Sequence, residues 1–335
     1  MAAFTKTLKS LKNPFNLTTT RIISSLPRRL TSAATTAEAR SAESDTESSS
    51  SSSFTFDGNI GKEDSIYVKG PDPGRGSDAA SSVTMPMSFM TGSVVGKRFY
   101  KRVTTREAED GNGWNVMLDY RTLKTPAKRP LKLPNLFLAK AIAAEWEYQL
   151  PDGIRPFTMP LMRLACTALE RVPLTRQKII DHLMKKFNQD LVFCRAPNDN
   201  NLTRDVHDLQ VEKIDPLLAW VELEFGVKPV VYTSFFGGKQ DEGLVKAVES
   251  FLKNTDNCEL AAVDAIASAA HSLVIAIGLV RGRLPIEEAV ELARLEEDHQ
   301  VDRWGLVEGG HDVDVADLKV QISSAAVFLG LSKAQ

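Results

Sequence analysis

The feature that most constrains the fold is a segment near the C-terminus, residues 259–280, which is apolar on nearly every side of a helix. A helix that is apolar all round has to be surrounded by other elements. Its most apolar part, residues 265–280, has 16 residues and contains Ser268, His271 and Ser272, whereas a bilayer span needs about 20 apolar residues. The pattern therefore predicts one helix over residues 258–281 in the middle of a helical bundle, and no membrane insertion.

The spacing of apolar residues elsewhere predicts strands first and helices afterwards. Alternation predicts strands at residues 97–105, 114–118 and 121–124, a short edge strand at 130–134 and a returning strand at 190–194. Helical spacing predicts helices at residues 135–149, 159–171, 174–187, 203–225, 241–253, 285–302 and 313–331. We therefore expect an α+β protein with two domains. Residues 95–196 would form a small N-terminal α/β domain with a short antiparallel sheet, and residues 197–335 a C-terminal all-α helical bundle.

The first 37 residues have the composition of an organelle transit peptide. They contain six lysines and arginines, twelve serines and threonines, and no acidic residue before Glu38. We predict a transit peptide over residues 1–40, with a disordered basic tail as the alternative; composition does not distinguish mitochondrion from chloroplast. Without those six cations the formal net charge changes from −2 to −8. Residues 41–94 are polar and serine-rich, which predicts a disordered linker and a folded part that begins near Val94.

The sequence contains no motif that carries a known chemistry. It has neither a phosphate-binding loop nor a dinucleotide-binding glycine pattern, and its three cysteines lack zinc spacing. Three cysteines also exclude a disulfide framework and favour a reducing compartment. The residues Glu308, His311, Asp312 and Asp314 could ligate a metal, but a helix N-terminus explains the two aspartates more simply. We therefore predict no catalytic residue, no cofactor and no metal; the slightly negative charge gives no indication of nucleic-acid binding.

The helix at residues 285–302 breaks its own pattern in its last turns. At 100° per residue, Ile286, Ala289, Val290 and Ala293 form the predicted buried stripe, and Arg294 and Asp298 fall on the opposite side. Glu296, Glu297 and Gln300 project onto the buried stripe, where a carboxylate is costly unless it is paired or exposed. Three interpretations follow: the helix emerges from the bundle, a buried arginine pairs with one carboxylate, or the acids face a groove that receives another molecule.

Several motifs, in order along the chain, resemble one family. Residues 294–305 read RLEEDHQVDRWG, and the upstream motifs are KRFYK at 97–101, LDYRTLKTP at 118–126, AAEW at 143–146, MPL at 159–161 and DPLLAW at 215–220. Together they resemble the mitochondrial ATP synthase F1 complex assembly factor 2 family, the chaperones of the F1 α subunit. The resemblance covers roughly residues 95–330.

The resemblance implies a function without catalysis. The protein would bind unassembled F1 α subunits in the mitochondrial matrix, prevent their aggregation until they join β, and be monomeric when free. Glu296 and Glu297 would face the client, with Gln300 in support. Trp146 and Trp304 each lie at helical spacing with apolar neighbours, which predicts that both are core residues. Two alternatives remain: a matrix enzyme that uses Glu296, Glu297 and His299 as acid, base or metal ligands, and a general holdase or structural subunit of a larger complex.

Overall fold

A mixed sheet forms the N-terminal part of the molecule. The computed structural model describes residues 66–69, 81–199, 203–233, 238–306 and 311–334. The strands in these residues are β1 (Tyr67–Lys69), β2 (Ser82–Thr84), β3 (Val103–Glu107), β4 (Trp114–Leu118), β5 (Arg121–Lys124) and β6 (Lys132–Leu133). They lie in the order β1-β2-β5-β4-β3, and β6 pairs with β4. The predicted transit peptide lies outside the described residues.

The predicted sheet was antiparallel, but one of its pairings is parallel. β2 runs parallel to β5, whereas the pairs β1–β2, β3–β4, β4–β5 and β4–β6 are antiparallel. The sequence missed this because β2 lies in the serine-rich segment and has only three residues, too few to show a period. The predicted strands at β4 and β5 have the bounds expected.

The folded part begins before Val94, where the sequence analysis placed its start. Val83 and Phe89 are completely buried, and the Phe89 ring stacks on Trp146 with 6.0 Å between the ring centroids. The prediction of a disordered linker over residues 41–94 is therefore wrong for residues 81–94, and also for β1, which pairs with β2. The pairing of β2 with β5 and the burial of Phe89 against the helix that follows the sheet stabilise this segment.

The first long strand is also shifted relative to its prediction. Residues 97–102 do not pair as a strand; instead the Arg98 guanidinium donates hydrogen bonds to the carbonyls of Glu147 at 2.7 Å and of Gln149 at 3.1 Å. The turn between β4 and β5 requires a left-handed residue, and Asp119 takes φ 57° there. Its carboxylate accepts from the N–H of Arg102 at 2.9 Å, which secures the chain just before β3 begins.

The helices follow the sheet and occupy most of the remaining chain. Their bounds are α1 (Leu136–Glu147), α2 (Pro160–Cys166), α3 (Val172–Phe187), α4 (Arg204–Phe225), α5 (Glu242–Asn254), α6 (Asn257–Ala270), α7 (Leu273–Val280), α8 (Ile286–Trp304) and α9 (His311–Lys333). A π-helical turn at Thr167–Arg171 joins α2 to α3. The strand predicted at residues 190–194 is wrong. A 3-10 helix, Leu191–Phe193, stands there because the Asp190 carboxylate caps it by accepting from the Val192 N–H.

The long apolar segment forms two helices and not the single one predicted. His271 takes a left-handed conformation with φ 52° and ends α6, and the Ser272 hydroxyl caps α7 by accepting from the Ile275 N–H at 3.0 Å. The buried Asp190 carboxylate accepts from the first two N–H groups of α7 at 2.7 and 3.0 Å. Both helices are central, as their apolar composition predicts, and α6 packs against α3, α7 and α9.

One hydrophobic core serves both the sheet and the helices. α1 packs across β3 and β4 with Trp146 completely buried, which confirms the structural role predicted for that residue. α3, which belongs to the predicted N-terminal domain, packs against α5 and α6. The core therefore continues across residue 197, where the sequence pattern predicted a domain boundary, and the described residues from 66 onward cluster as one compact unit.

Candidate functional site

α8 leaves the body of the molecule in its last turns. Its buried side chains are Ala289, Val290, Leu292, Arg294 and Leu295, and no residue of α8 after Leu295 is buried. Glu296, Glu297 and Gln300 are all exposed. The first interpretation of the broken pattern is therefore right, because the helix emerges from the bundle where the polar residues interrupt its apolar stripe.

The second interpretation, a buried arginine, is also right, but the arginine is one that the sequence analysis placed on the solvent side. Arg294 is only 5% exposed. Its guanidinium lies 2.8 Å from a Glu297 carboxylate oxygen and 3.0 Å from an Asp298 carboxylate oxygen. Arg294 is buried because α9 packs along this side of α8, a contact that helical periodicity does not reveal.

Glu296 is directed toward α4. Its carboxylate accepts a hydrogen bond of 2.6 Å from the side-chain amide of Gln210, which is 1% exposed. The Gln210 carbonyl oxygen accepts in turn from the Ala196 N–H at 2.7 Å. The Gln210 amide therefore bridges the Glu296 carboxylate and the Ala196 backbone, and it fixes Glu296 relative to the loop that precedes α4.

α4 and α8 run antiparallel, and ion pairs join them on either side of this contact. Lys213 lies 3.0 Å from Glu291, and Arg303 lies 3.5 Å from Asp205. These exposed pairs add little stability individually, but they fix the register between the two helices.

The three predicted site residues occupy neighbouring positions on the emerging part of α8. At 100° per residue, Gln300 lies between Glu296 and Glu297, and the three side chains span about 100° of the helix surface. Glu296 is held by Gln210 and Glu297 by Arg294. The arrangement presents two carboxylates and an amide to solvent with both carboxylates anchored from the protein side.

A groove lies between α8 and α9, but none of the three predicted residues lines it. Its volume is about 440 Å³, and it is lined by Ile286, Glu287, Val290, Glu291, Arg294, Asp298, Val315, Lys319 and Ser323. Glu297 touches this groove only through its ion pair with Arg294.

The ends of α8 and α9 also carry exposed apolar side chains that the sequence pattern did not indicate. Trp304, which it assigned to the core, is 72% exposed, and Val313 and Val320 on α9 are 62% and 52% exposed. α9 buries its other face, with Ile322 and Phe328 fully covered. By length and composition alone, α9 is also the one described helix that could cross a membrane. Val313 and Val320 are seven residues apart and therefore lie on one face of α9, and this spacing was the signal in the sequence that could have identified them.

The residues named for an alternative catalytic site do not form a metal cluster. His299 is half-buried and its Nε2 atom has no hydrogen-bond partner, and within the described ranges no three His, Cys, Asp or Glu side chains could hold a metal ion. Burial raises the pKa of Cys258 to about 11 and also raises the pKa values of Cys166 and Cys194. These three thiols are therefore protonated at neutral pH.

Comparison with known proteins identifies relatives over most of the chain. The family model described as ATP12 chaperone protein matches residues 97–222. The curated protein atp12, mitochondrial, of Schizosaccharomyces pombe is 26% identical over 241 residues, which is 69% of this chain and 81% of that protein.

Solved structures agree with the fold. Atp12 from Paracoccus denitrificans is 29% identical, with a TM-score of 0.64 over 71% of this chain and 99% of that one. An aspartate-to-lysine mutant of P. denitrificans Atp12p is 30% identical, with the same TM-score over 71% of this chain and 98% of that one. The predicted fold class, a small N-terminal sheet followed by helices, is confirmed, and the chain belongs to the ATP12 chaperone family.

Proposed function

We propose that this protein is a chaperone of the mitochondrial matrix that holds the unassembled α subunit of the ATP synthase F1 sector until it joins the β subunit. Membership of the ATP12 family supports an assembly role for F1, and the S. pombe relative is named as mitochondrial. The acid-free N-terminal segment agrees with import. The single observation that carries the proposal is the polar end of α8, which the fold exposes and anchors.

The client would meet Glu296, Glu297 and Gln300. An unpaired subunit exposes a large apolar interface and is prone to aggregate. A chaperone must cover such a surface and later release it, so an exposed polar site suits the task better than a deep apolar pocket. Gln210 holds the Glu296 carboxylate and Arg294 holds the Glu297 carboxylate before the client binds. Because the two side chains are already restricted, less conformational entropy is lost on binding.

The proposal does not involve a covalent reaction. Chaperone action of this kind requires only binding and release, and the acids would act through charge and hydrogen bonding to the client. A matrix enzyme that uses Glu296, Glu297 and His299 would instead need these side chains to converge on a substrate. Glu296 is directed toward α4 and Glu297 toward Arg294, so the two carboxylates diverge.

Co-purification from mitochondria tests the proposal. The mature protein, recovered through a C-terminal tag, is expected to bring free α subunit without an equal amount of β. Recovery of complete F1 in fixed proportion would instead make the protein a structural subunit. Equal suppression of aggregation for α and for an unrelated unfolded enzyme would make it a general holdase.

A further inference from the structure

The ends of α8 and α9 together form an exposed element, which we call the hairpin end: residues 296–306 and 311–321. No side chain in either of these two described segments is buried. The part of α8 after Leu295 has nine residues and the part of α9 before Ile322 has eleven. The hairpin end still contacts the body of the molecule, because Leu318 packs partly buried against the core and Val320 lines a pocket together with residues of α2 and α6.

The hairpin end exposes several large apolar side chains to solvent. Trp304 and Leu306, at the end of α8, are 72% and 67% exposed. On α9, Val313 and Val320 are separated by seven residues, which places them within about 20° of each other on one face. Val327, another seven residues along and 45% exposed, continues the same stripe toward the body. Isolated apolar side chains on a surface are ordinary, but a stripe of this kind marks an interaction surface.

The charged residues of the hairpin end are mostly acidic. The described acidic residues of the hairpin end are Glu296, Glu297, Asp298, Asp302, Asp312, Asp314 and Asp317, and the basic ones are Arg303 and Lys319. Arg303 is already paired with Asp205. Apart from the pocket beside Val320, which Arg163 and Arg171 also line, the hairpin end presents apolar side chains inside a mostly negative border. A complementary partner has apolar side chains inside a positively charged border.

We propose that the hairpin end is the docking element for the client, and that it binds a segment whose apolar side chains are flanked by lysine or arginine. This inference rests on the proposed function, and it adds the α9 stripe and the chemistry of the partner. The Glu296–Glu297–Gln300 site is continuous with this surface, because all three residues lie in its first segment.

The same charge disfavours two other occupants. A second copy of this chain would bring another acidic hairpin end against the first, with mutual repulsion. A membrane leaflet rich in anionic lipid would repel the element, although α9 is long and apolar enough to span a bilayer by composition. A basic protein surface is the occupant that the charges favour.

Paired variants of the mature protein test the docking element against purified, isolated α subunit. Val313→Ser combined with Val320→Ser removes the stripe from exposed positions, so the fold is expected to persist. The matched control is Leu223→Ser on α4, where the leucine is 84% exposed and far from the acids in sequence. Circular-dichroism melting of all three proteins checks the fold.

We expect the double variant to bind α about tenfold more weakly than the wild type, and the control to bind within about twofold. Wild-type binding should also weaken by about tenfold between 50 and 500 mM salt, since the contact is partly electrostatic. Suppose that the wild type binds α, and that either the double variant binds it equally well or salt has no effect. The assignment of the hairpin end as the docking element is then wrong, while the proposed function stands. If the wild type does not bind α, the proposed function itself fails.

Two further measurements address the other occupants. Light scattering of the wild type should give the mass of one chain. A dimer that the double variant abolishes would assign the stripe to self-association. Flotation with vesicles of phosphatidylcholine and phosphatidylserine should leave the protein unbound, and stripe-dependent flotation would assign the surface to lipid. Either result would overturn the inference.

Discussion

Reversal of the charge at Glu297 should abolish function while the fold remains stable. The Glu297 side chain is 67% exposed, and among the described residues its ion-pair partner is Arg294, at 2.8 Å. Exposed ion pairs contribute about 0 to 1 kcal/mol. Loss of Glu297 does not leave the buried guanidinium unpaired, because Asp298 still holds it at 3.0 Å. We therefore expect Glu297→Gln to cost at most about 1 kcal/mol of unfolding free energy, and Glu297→Lys about 1 kcal/mol more through repulsion by Arg294.

The effect on the client should be much larger than the effect on the fold. Removal of a charge from an interface weakens association, and reversal of that charge adds repulsion against a basic partner. We expect Glu297→Gln to reduce ATP synthase assembly in part and Glu297→Lys to abolish it. Glu222→Lys provides a matched control, since it makes the same charge change at an exposed position near the far end of α4.

Complementation of a strain that lacks the chaperone measures function, and urea denaturation measures stability. Normal assembly with Glu297→Lys would refute the client-facing role of this residue. A loss of unfolding free energy well above the expected 2 kcal/mol or so would refute the argument that Asp298 suffices to hold Arg294, and would give Glu297 a structural role. Equal loss of assembly in Glu222→Lys would show that any added positive charge is harmful.

Three further predictions concern stability. Burial raises the pKa of Glu145, which caps α2, from 4.5 to about 7. Since the folded-state value is the higher one, stability contributed by the protonated carboxyl is present below pH 4.5 and is lost as the pH rises through 7. Glu145→Gln should therefore gain about 3 kcal/mol relative to wild type between pH 4.5 and 7, by urea denaturation; a constant difference would contradict this. Asp190→Ala deprives three buried N–H groups of their acceptor and should cost about 2 to 4 kcal/mol; an unchanged midpoint would show that another group caps α7. Gly113 has φ 124°, and a Cβ there would stand 2.5 Å from the Leu133 carbonyl oxygen. Gly113→Ala should thus lower stability by about 1 to 3 kcal/mol, whereas Gly111→Ala, with no atom within 4 Å of its Cβ, tests φ strain without the clash.

The spacing of apolar residues predicted the long helices well and the short elements poorly. α4, α5 and α8 lie within one or two residues of their predicted bounds, because each has an amphipathic period and distinct end signals. β2 and the 3-10 helix at Leu191–Phe193 were missed or misassigned, because each is too short to have a period. The break at His271 was missed because apolar composition is the same on both sides of it.

At the candidate site, too, periodicity predicted some features correctly and others wrongly. Periodicity alone identified Glu296, Glu297 and Gln300 as residues that conflict with their own helix, and the structure places all three in solvent. Periodicity put Arg294 on the wrong side, because it describes one helix and cannot include the second helix that covers it. The exposure of Trp304 likewise depends on where α8 parts from the bundle.

Sequence by itself determined the order and type of the long elements, the acidic character of the chain after its basic N-terminal segment, and the family. These follow from composition, period and motif, which are local properties. Only the tertiary structure decided that β2 pairs parallel with β5, that Arg294 is buried between Glu297 and Asp298, and that the ends of α8 and α9 expose an apolar stripe. Those outcomes depend on which segments distant in the chain pack together, and no local pattern contains that information.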